Sequence, residues 1–260
     1  MMEDVLGSWR SVAERAVGVS HTAVSAPCQD HLVVDCCTGE DGRVIALVAA
    51  VADGAGSASA SELGSSQAVS FAVSFIKRYM AAPMPSRDIE RLVRDAMLHA
   101  RSELVSTAAQ QQLCLRDLAT TLLVAVIVED GGAFGQIGDG AIVFGDATGL
   151  SSAFDIEQEV LNVTDFLTDD DAPAIMRSRF VEVRIDRLAL LSDGLAPLLI
   201  DQRLRAPHQP AFDSLFRHVM HTADVAALAE DLRAFLDSPA VNERTDDDKA
   251  LVLAVRVTQP

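Results

Sequence analysis

The stretch VIALVAAVADGAG, residues 44–56, decides the fold, because an uninterrupted apolar run ends there at one carboxylate, Asp53, and glycine follows it. An apolar run of this kind is typical of a buried strand. The run is about nine residues long, roughly half of what a membrane-spanning helix requires. We therefore predict a core strand whose end presents Asp53 beside small residues.

Further apolar segments and helical periodicities extend the pattern along the chain. Strands are predicted at residues 16–20, 31–37, 43–52, 119–128, 133–145, 180–185, 187–192 and 249–257. Helices are predicted at 59–80, from an N-cap at Ser86 to about residue 107, at 212–221 and at 224–236. This order predicts a sheet core covered by helix pairs. Thr120 and Thr121 are expected to open a buried strand and to have a structural role.

Residues 1–260 are expected to form a single domain, and the least regular segment, 149–179, is expected to form a flap or an inserted lobe. The composition, 49% hydrophobic and 23% charged, supports a sizeable core. The net charge of -17 disfavours nucleic acid and membrane surfaces as partners. The acidic start MMEDVLGSWR has no apolar signal core, so a soluble, cytoplasmic protein is expected. The four cysteines have no zinc-binding spacing and are expected to be reduced thiols.

Four aspartates stand where apolar strands stop or start: Asp53, Asp139, Asp193 and Asp248. Any one of them alone is more typical of an ordinary turn. Carboxylates that meet at sheet ends repel one another, which raises their pKa unless a cation neutralises them. The set therefore predicts a divalent metal site, and oxygen ligands favour magnesium or manganese over zinc.

Six motifs in this order resemble the metal-dependent type 2C protein Ser/Thr phosphatases, and most closely their bacterial branch. They are GVSHTAVSAPCQD (18–30), VADGAG (51–56), ATTLLVAVI (119–127), GQIGDG (135–140), LLSDG (190–194) and DDDKALVL (246–253). The resemblance covers nearly the whole chain. It implies an α+β fold with a central β-sandwich of two antiparallel sheets flanked by helix pairs, in four layers, α-β-β-α. It also implies two Mn²⁺ or Mg²⁺ ions, with a third in many members, at one end of the sandwich.

The resemblance assigns catalytic and metal-binding roles to the aspartates. It implies that Asp53 bridges two metals, that the Gly54 carbonyl binds one of them, and that Asp193 and Asp248 bind the first metal. Glycine at position 54 turns its carbonyl towards an ion with no side chain in the way. Asp139 matches a ligand of the third metal, shared with Asp193.

Several positions depart from the family pattern. Gln29 replaces an acidic residue, so the second metal would depend on Asp30, which contacts it through water or supports the direct ligands. Ala55 replaces a histidine proposed as general acid in eukaryotic relatives, and Ser25 replaces an arginine that grips the substrate phosphate. His21 is a candidate substitute for that arginine as a phosphate donor; a structural hydrogen bond is the alternative.

At position 249, Lys249 replaces an asparagine found in many members, and we expect it to support the metal ligands or to face solvent. The family chemistry implied is hydrolysis of phosphoserine and phosphothreonine by direct attack of a water held between two metals. The expected substrate is a protein phosphorylated by a bacterial Ser/Thr kinase. An acidic rim at residues 169–171 would favour basic peptides.

Two alternatives to an active protein phosphatase stay open. One is a catalytically weak phosphatase-like module that binds phosphoproteins or regulates them, since Gln29, Ala55 and Ser25 weaken the site. The other is a phosphatase of small molecules. The four mutually repelling aspartates favour the enzyme, because a module without catalysis has no physical need to hold them together.

Overall fold

A computed structural model describes residues 5–6, 9–146, 148–156, 164–222 and 224–257 of the chain. Its strands are β1 (Val5–Leu6), β2 (Trp9–Ala16), β3 (His31–Thr38), β4 (Val44–Ala52), β5 (Leu122–Ile127), β6 (Gly132–Ile137), β7 (Ala141–Asp146), β8 (Gly149–Ser152), β9 (Arg177–Val181), β10 (Arg187–Leu191), β11 (Ile200–Asp201), β12 (Ala206–Pro207) and β13 (Lys249–Arg256).

The strands form two large antiparallel sheets. One sheet has the order β1-β2-β13-β10-β7-β8 and the other has the order β3-β4-β5-β6-β9, while β11 and β12 form a small hairpin. All strand pairs in the two sheets are antiparallel. The two antiparallel sheets predicted from the family resemblance are therefore confirmed.

The helices are α1 (Val19–Ala23), α2 (Ser61–Tyr79), α3 (Ser86–Gln111), α4 (Ala172–Ile175), α5 (Ala196–Leu199), α6 (Gln209–His221), α7 (Val225–Leu236) and α8 (Pro239–Asn242). Helices α2 and α3 pack on the five-stranded sheet, and α6 and α7 pack on the six-stranded sheet. This is the expected four-layer arrangement. None of the helices in the described ranges is long and apolar enough to cross a membrane.

Strand β4 explains why the apolar run has no polar alternation. Leu47, Ala49 and Val51 face the core between the two sheets. The intervening residues, among them Val48 and Ala50, face the core under α2 and α3. Both faces are buried, so every position of the strand favours an apolar side chain.

Some predicted boundaries were wrong. A strand was expected at 16–20, but β2 ends at Ala16 and residues 19–23 form α1, because β2 pairs along β13 from Trp9 onwards. The expected strand 133–145 is two strands, β6 and β7, separated by a turn at residues 138–140. At the start of α3 the N-cap is Pro85, and Ser86 is the first helical residue.

The segment 149–179, predicted as a flap, leads from one sheet to the other. It begins with β8, which pairs with β7, and ends in β9, which pairs with β6. Residues 157–163 lie outside the described residues. The 166–173 part is fixed to α3, because Arg101 donates to the carbonyl of Asp169 and Arg94 donates to the carbonyl of Pro173.

Candidate metal centre

The strand registers bring the six residues predicted for the metal site to one end of the sandwich. In the five-stranded sheet, the first residue of β3 pairs with the last residue of β4, which places Asp30 and Asp53 side by side. In the six-stranded sheet, Leu191 pairs with Ala141 and Leu251, near the start of β7 and of β13. Asp139, Asp193 and Asp248 therefore lie at the matching edge.

The backbone of Asp53 is held by two threonines that precede β5. The Asp53 amide donates to Thr121 Oγ1, and Thr120 Oγ1 donates to the Asp53 carbonyl, both at 2.9 Å. Both threonines are buried. The two threonines thus have a structural role, as expected. They do not open the strand, however, because β5 begins only at Leu122. The threonines fix the direction in which the Asp53 side chain leaves the strand.

Gly54 is required by close packing. A Cβ at this position would lie 2.7 Å from the carbonyl oxygen of Ser61, the first residue of α2, so no side chain fits. Gly54 also forms a β-bridge with Thr120. Glycine thus lets the loop after β4 pass directly against α2.

Asp139 follows a glycine whose backbone conformation only glycine adopts readily. Gly138 has φ +102, in the region that side chains disfavour. The turn presents Asp139, whose Oδ2 accepts a 2.5 Å hydrogen bond from Thr164 Oγ1. Asp139 is close enough to Asp193 to raise the pKa of that carboxyl.

Asp30, which is buried, and Asp53 and Asp193, which are half-buried, form a carboxylate cluster. Burial raises the pKa of Asp30 to about 8; a hydrogen bond from Ser192 opposes this rise, and the charges of Asp248 and Asp193 add to it. Burial, and then the charges of Asp30 and Asp193, raise the pKa of Asp53 well above its ordinary value. Burial and the charge of Asp139 raise the pKa of Asp193 to about 6. Asp53 lies within hydrogen-bonding reach of both of the other carboxyl groups.

The cluster has the chemistry of a hard-cation site. Asp30 is fully buried, and neither its Oδ1 nor Asp193 Oδ1 has a hydrogen-bond donor among the described residues. Buried carboxylate oxygens without donors are satisfied by a cation, and oxygen-only ligand sets suit Mg²⁺ or Mn²⁺. Within the described ranges, no group of three or more His, Cys, Asp or Glu side chains is already placed to hold a metal ion. The carboxyl groups instead contact one another, so the residues fit the metal but would have to separate to bind it.

Asp248 lies on the side of Asp30, where its charge raises the pKa of that carboxyl. It accepts hydrogen bonds from the amides of Gly18 and Gln29, both at 2.6 Å. His21 Nδ1 lies 2.9 Å from Asp248 Oδ2 but at an angle outside a hydrogen bond. Asp248 is thus engaged by the segment that leads from β2 to β3.

Two comparisons of the sequence with known proteins agree. The family model described as protein phosphatase 2C matches residues 17–237. The serine/threonine-protein phosphatase 3 of Escherichia coli (strain K12) is 34% identical over 252 residues, which cover 95% of this chain and 98% of that protein. The chain belongs to the protein phosphatase 2C family.

Solved structures share the protein phosphatase 2C fold with this chain. The serine/threonine phosphatase Stp1 from Staphylococcus aureus is 14% identical, with a TM-score of 0.64 and 98% of each chain covered. The catalytic domain of the phosphatase PstP, in complex with two manganese ions, is 17% identical, with a TM-score of 0.61, covering 96% of this chain and 99% of that domain.

Three of the departures from the protein phosphatase 2C pattern, Gln29, Ala55 and Ser25, have visible places in the fold. Gln29 has a buried Oε1 without a donor among the described residues. Ala55 donates its amide to the carbonyl of Ala119, and Ser25 has φ +57 in the turn after α1. A Cβ on Gly56 would lie 3.9 Å from both His21 Nε2 and Gln29 Oε1. The absent Cβ leaves an opening, named here the Gly56 opening, beside the imidazole.

Two residues of the site, Ser192 and Asp247, were not predicted from the sequence. Ser192 donates to Asp30 Oδ2 at 2.6 Å and accepts from the Ala250 amide. Asp247 lies near Asp193 and raises the pKa of its carboxyl. Both residues belong to motifs that the sequence shows, LLSDG and DDDKALVL. Each stands directly before an aspartate that was predicted as a metal ligand, and this position is the signal by which it could have been found.

Proposed function

We propose that this chain is a Mn²⁺- or Mg²⁺-dependent phosphatase of phosphoserine and phosphothreonine in proteins. The observation that carries the proposal is the cluster of Asp30, Asp53 and Asp193. Its raised pKa values, and the oxygens of Asp30 and Asp193 without donors among the described residues, call for a divalent cation. Membership of the protein phosphatase 2C family and the similarity to an Escherichia coli serine/threonine-protein phosphatase support the reaction.

The residues proposed to hold the metal are Asp53, the Gly54 carbonyl and Asp193, with Asp139, Asp30 and Asp248 beside them. When bound, two divalent ions activate water as a nucleophile at neutral pH and neutralise the phosphoryl oxygens. A bound cation also explains how a chain with a net charge of -17 accepts an anionic substrate. The manganese in the PstP structure supports two ions, and Asp139 offers a place for a third.

The protein's own groups orient the site. Thr120 and Thr121 hold the backbone of Asp53, and Ser192 orients Asp30 through its 2.6 Å hydrogen bond. His21 is proposed to contact the substrate phosphate, because its Nε2 borders the Gly56 opening. This role would compensate for Ser25, which stands where relatives have an arginine.

The proposed substrate is a protein phosphorylated by a bacterial Ser/Thr kinase, and the proposed setting is a cytoplasmic signalling circuit. The acidic residues of the 149–179 segment are proposed to disfavour acidic phosphopeptides. Leu167 donates its amide to the carbonyl of Thr120. This segment therefore borders the threonines that hold the backbone of Asp53.

The test is hydrolysis of a phosphothreonine peptide and of p-nitrophenyl phosphate with Mn²⁺, Mg²⁺ or chelator. Wild type is compared with Asp53→Asn and Asp193→Asn, and with Asp95→Asn as a control, because Asp95 lies on α3 in an exposed pair with Arg91. Manganese-dependent turnover that is lost only in the two site variants is expected. Metal binding without turnover of either substrate would instead support a phosphoprotein-binding module.

A further inference from the structure

The end of the sandwich opposite the metal centre holds a cavity of about 360 Å³, named here the distal cavity. Strand β4 borders this cavity at its first residue, Val44, and leads to Asp53 at the metal centre. The strand has nine residues, and at about 3.3 Å per residue the two sites are roughly 30 Å apart. Ile127 and Arg256, the last residues of β5 and β13, line the same cavity. The distal cavity is therefore separate from the carboxylate cluster.

The walls of the distal cavity are mostly apolar. Ile45 on β4, Phe180 on β9 and Met84 before α3 line it, and each of these side chains is only half-buried. The connection between α2 and α3, residues 80–85, contains Pro83 and Pro85, whose fixed backbone angle stiffens it. Pro83 also lines the cavity. The volume and the apolar walls are those of a ligand site, with room for more than one side chain.

Two acidic residues, Glu129 and Asp130, line the distal cavity, and both are exposed. Glu129 is paired, because its Oε1 accepts from Arg184 at 2.6 Å and its Oε2 accepts from Arg256 at 3.0 Å. Asp130 has no hydrogen bond or ion pair with another of the described residues. The cavity therefore has one carboxylate whose charge is uncompensated within the described part of the chain.

The cations nearest to Asp130 in this part of the fold are already engaged. The Arg256 side chain is 5% exposed, lies over the Trp9 ring at 4.7 Å from its centroid and pairs with Glu129. Arg43 and Arg87, which adjoin lining residues in the sequence, each pair with an aspartate close to them in the chain. The charge that the cavity offers to an occupant is therefore negative, and it favours a cation.

An occupant of the distal cavity needs an apolar part for the walls and a cationic group for Asp130. The start of α3 adds hydrogen-bond donors, because Pro85 gives the helix no side-chain cap and Ser86, its first residue, lines the cavity. The first amides of a helix have no acceptor within the helix. A peptide in which arginine or lysine adjoins a large apolar residue supplies the cation, the apolar side chain and the carbonyl acceptors together.

We propose that the distal cavity docks a segment of the phosphoprotein substrate, remote from the phosphorylated residue, in which a basic residue adjoins a large apolar one. The basic group pairs with Asp130, and the apolar side chain packs against Ile45 and Phe180. The metal centre itself recognises a phosphate, which all phosphoproteins share. A second, linked contact raises affinity for those substrates that carry the segment. The inference rests on the proposed function for the statement that the occupant is a substrate.

NMR titration of the full wild-type chain with the unphosphorylated peptide acetyl-Ala-Leu-Arg-Leu-Ala-amide tests binding and its location. Shifts are expected for the amides of residues 44–46 and 128–130, with those of Asp53 and Asp193 unmoved. Control peptides carry glutamate in place of arginine, or alanine in place of both leucines. The proposal is overturned if millimolar peptide leaves the cavity amides unmoved, if the glutamate peptide binds equally well, or if butylamine binds as tightly as the peptide.

Two variants separate the charge of the cavity from its volume. Asp130→Asn keeps the turn between β5 and β6, because Asn-Gly suits a hairpin turn as Asp-Gly does. It should weaken peptide binding about threefold, the scale of an exposed ion pair, and high salt should have a similar effect on wild type. Ser86→Phe fills the cavity and should abolish binding, whereas Ser106→Phe, at an exposed position later on α3, is the matched control. Wild-type affinity in Ser86→Phe would overturn the proposal.

A two-part substrate tests docking in catalysis. A short phosphothreonine peptide is compared with the same peptide joined to the Leu-Arg-Leu segment by a Gly/Ser linker of about 50 residues, whose r.m.s. length is about 40 Å. In wild type the joined substrate should have a KM about tenfold lower at equal kcat. Ser86→Phe should lose this difference and turn over the short peptide as wild type does. Equal KM values in wild type would overturn docking. Absent turnover of both substrates would count against the proposed function, and the NMR titration would still decide whether the cavity binds the segment.

Discussion

Ser192 Oγ donates a 2.6 Å hydrogen bond to Asp30 Oδ2 inside the core, and the same oxygen accepts the amide of Ala250 on β13. One hydroxyl thereby joins the carboxylate cluster to the six-stranded sheet. It is also the larger of two contacts, the other from Asp53, that oppose the effect of burial on the pKa of Asp30. The orientation of a carboxylate in one sheet thus depends on a residue of the other.

Replacing Ser192 by alanine should therefore weaken both stability and metal binding. The buried Ala250 amide loses its acceptor, which costs about 1–3 kcal/mol in the free energy of unfolding. Asp30 loses its donor, so Mn²⁺ binding should shift to higher pH. Urea unfolding and Mn²⁺ titration measure the two effects. Ser106→Ala is the control, since its exposed hydroxyl bonds only within α3 among the contacts described; equal losses in both variants would contradict this role.

The pH dependence of stability without divalent ions follows from the same cluster. Asp30 and Asp193 have folded pKa values raised to about 8 and about 6, above their values in the unfolded chain. The folded state therefore holds more protons, so its stability is fully present below about pH 4 and declines as the pH rises towards 8. The slope is at most about 1.4 kcal/mol per pH unit for each proton.

Chelated protein unfolded in urea at about pH 5 and about pH 8 measures this decline. Asp30→Asn should flatten it, and Asp95→Asn should leave it unchanged. Mn²⁺ should stabilise the protein more at the higher pH, because the ionised carboxylates then have a cation between them. A chelated protein that gains stability across this range would contradict the assignment of the raised pKa values to the cluster.

Much of this arrangement was predictable from sequence, and the reason is physical. The uninterrupted run 44–52 requires apolar surroundings on both faces, which a sandwich covered by helices provides. Asp53, Asp139 and Asp193 end or begin strands, so antiparallel pairing brings them to one edge. The resemblance to the protein phosphatase 2C family then indicated which metals and which reaction to expect.

The remaining features depend on long-range contacts that no local pattern encodes. The DDD run does not show which carboxylate faces which way, because the direction is set by the amides of Gly18 and Gln29 from a distant segment. Residues 16–20 are apolar enough to suggest a strand, but pairing with β13 ends at Ala16. The run cannot indicate where its partner strand stops.

The hydroxyl of Thr121 should matter more than its methyl group. Thr121→Val leaves the Asp53 amide without its acceptor, which costs about 1–3 kcal/mol of stability. Because the same hydrogen bond fixes the backbone of Asp53, kcat should also fall. Thr121→Ser keeps the hydroxyl and is the matched control, expected to retain most activity. Thermal unfolding and turnover of a phosphopeptide check both effects; a serine variant as impaired as the valine variant would assign the role to packing.

Charge reversal in the 149–179 segment should change peptide preference. Asp170 and Asp171 are exposed, whereas Asp169 caps the amide of Phe166 and should be left intact. The variant Asp170→Lys with Asp171→Lys should raise kcat/KM for acidic phosphopeptides relative to basic ones, and less so at high salt. Glu230→Lys with Asp237→Lys, at remote positions, controls for net charge. An unchanged ratio would remove the proposed role of this rim.

Lys249 was expected to support the metal ligands or to face solvent, and the solvent alternative was wrong, because the residue is fully buried. Its Nζ donates to Asn242 Oδ1 at 2.7 Å. Asn242→Ala should therefore destabilise the protein by about 1.5–3 kcal/mol, the usual worth of a hydrogen bond to a charged group. Lys249→Met removes the buried charge with its need for a partner, so its stability should be close to that of wild type or higher. Urea unfolding of both single variants and of the double variant measures the coupling between the two residues. In the Lys249→Met background, Asn242→Ala should reduce the free energy of unfolding only slightly. An undiminished loss there would show that Asn242 acts through its bond to Asp237 instead.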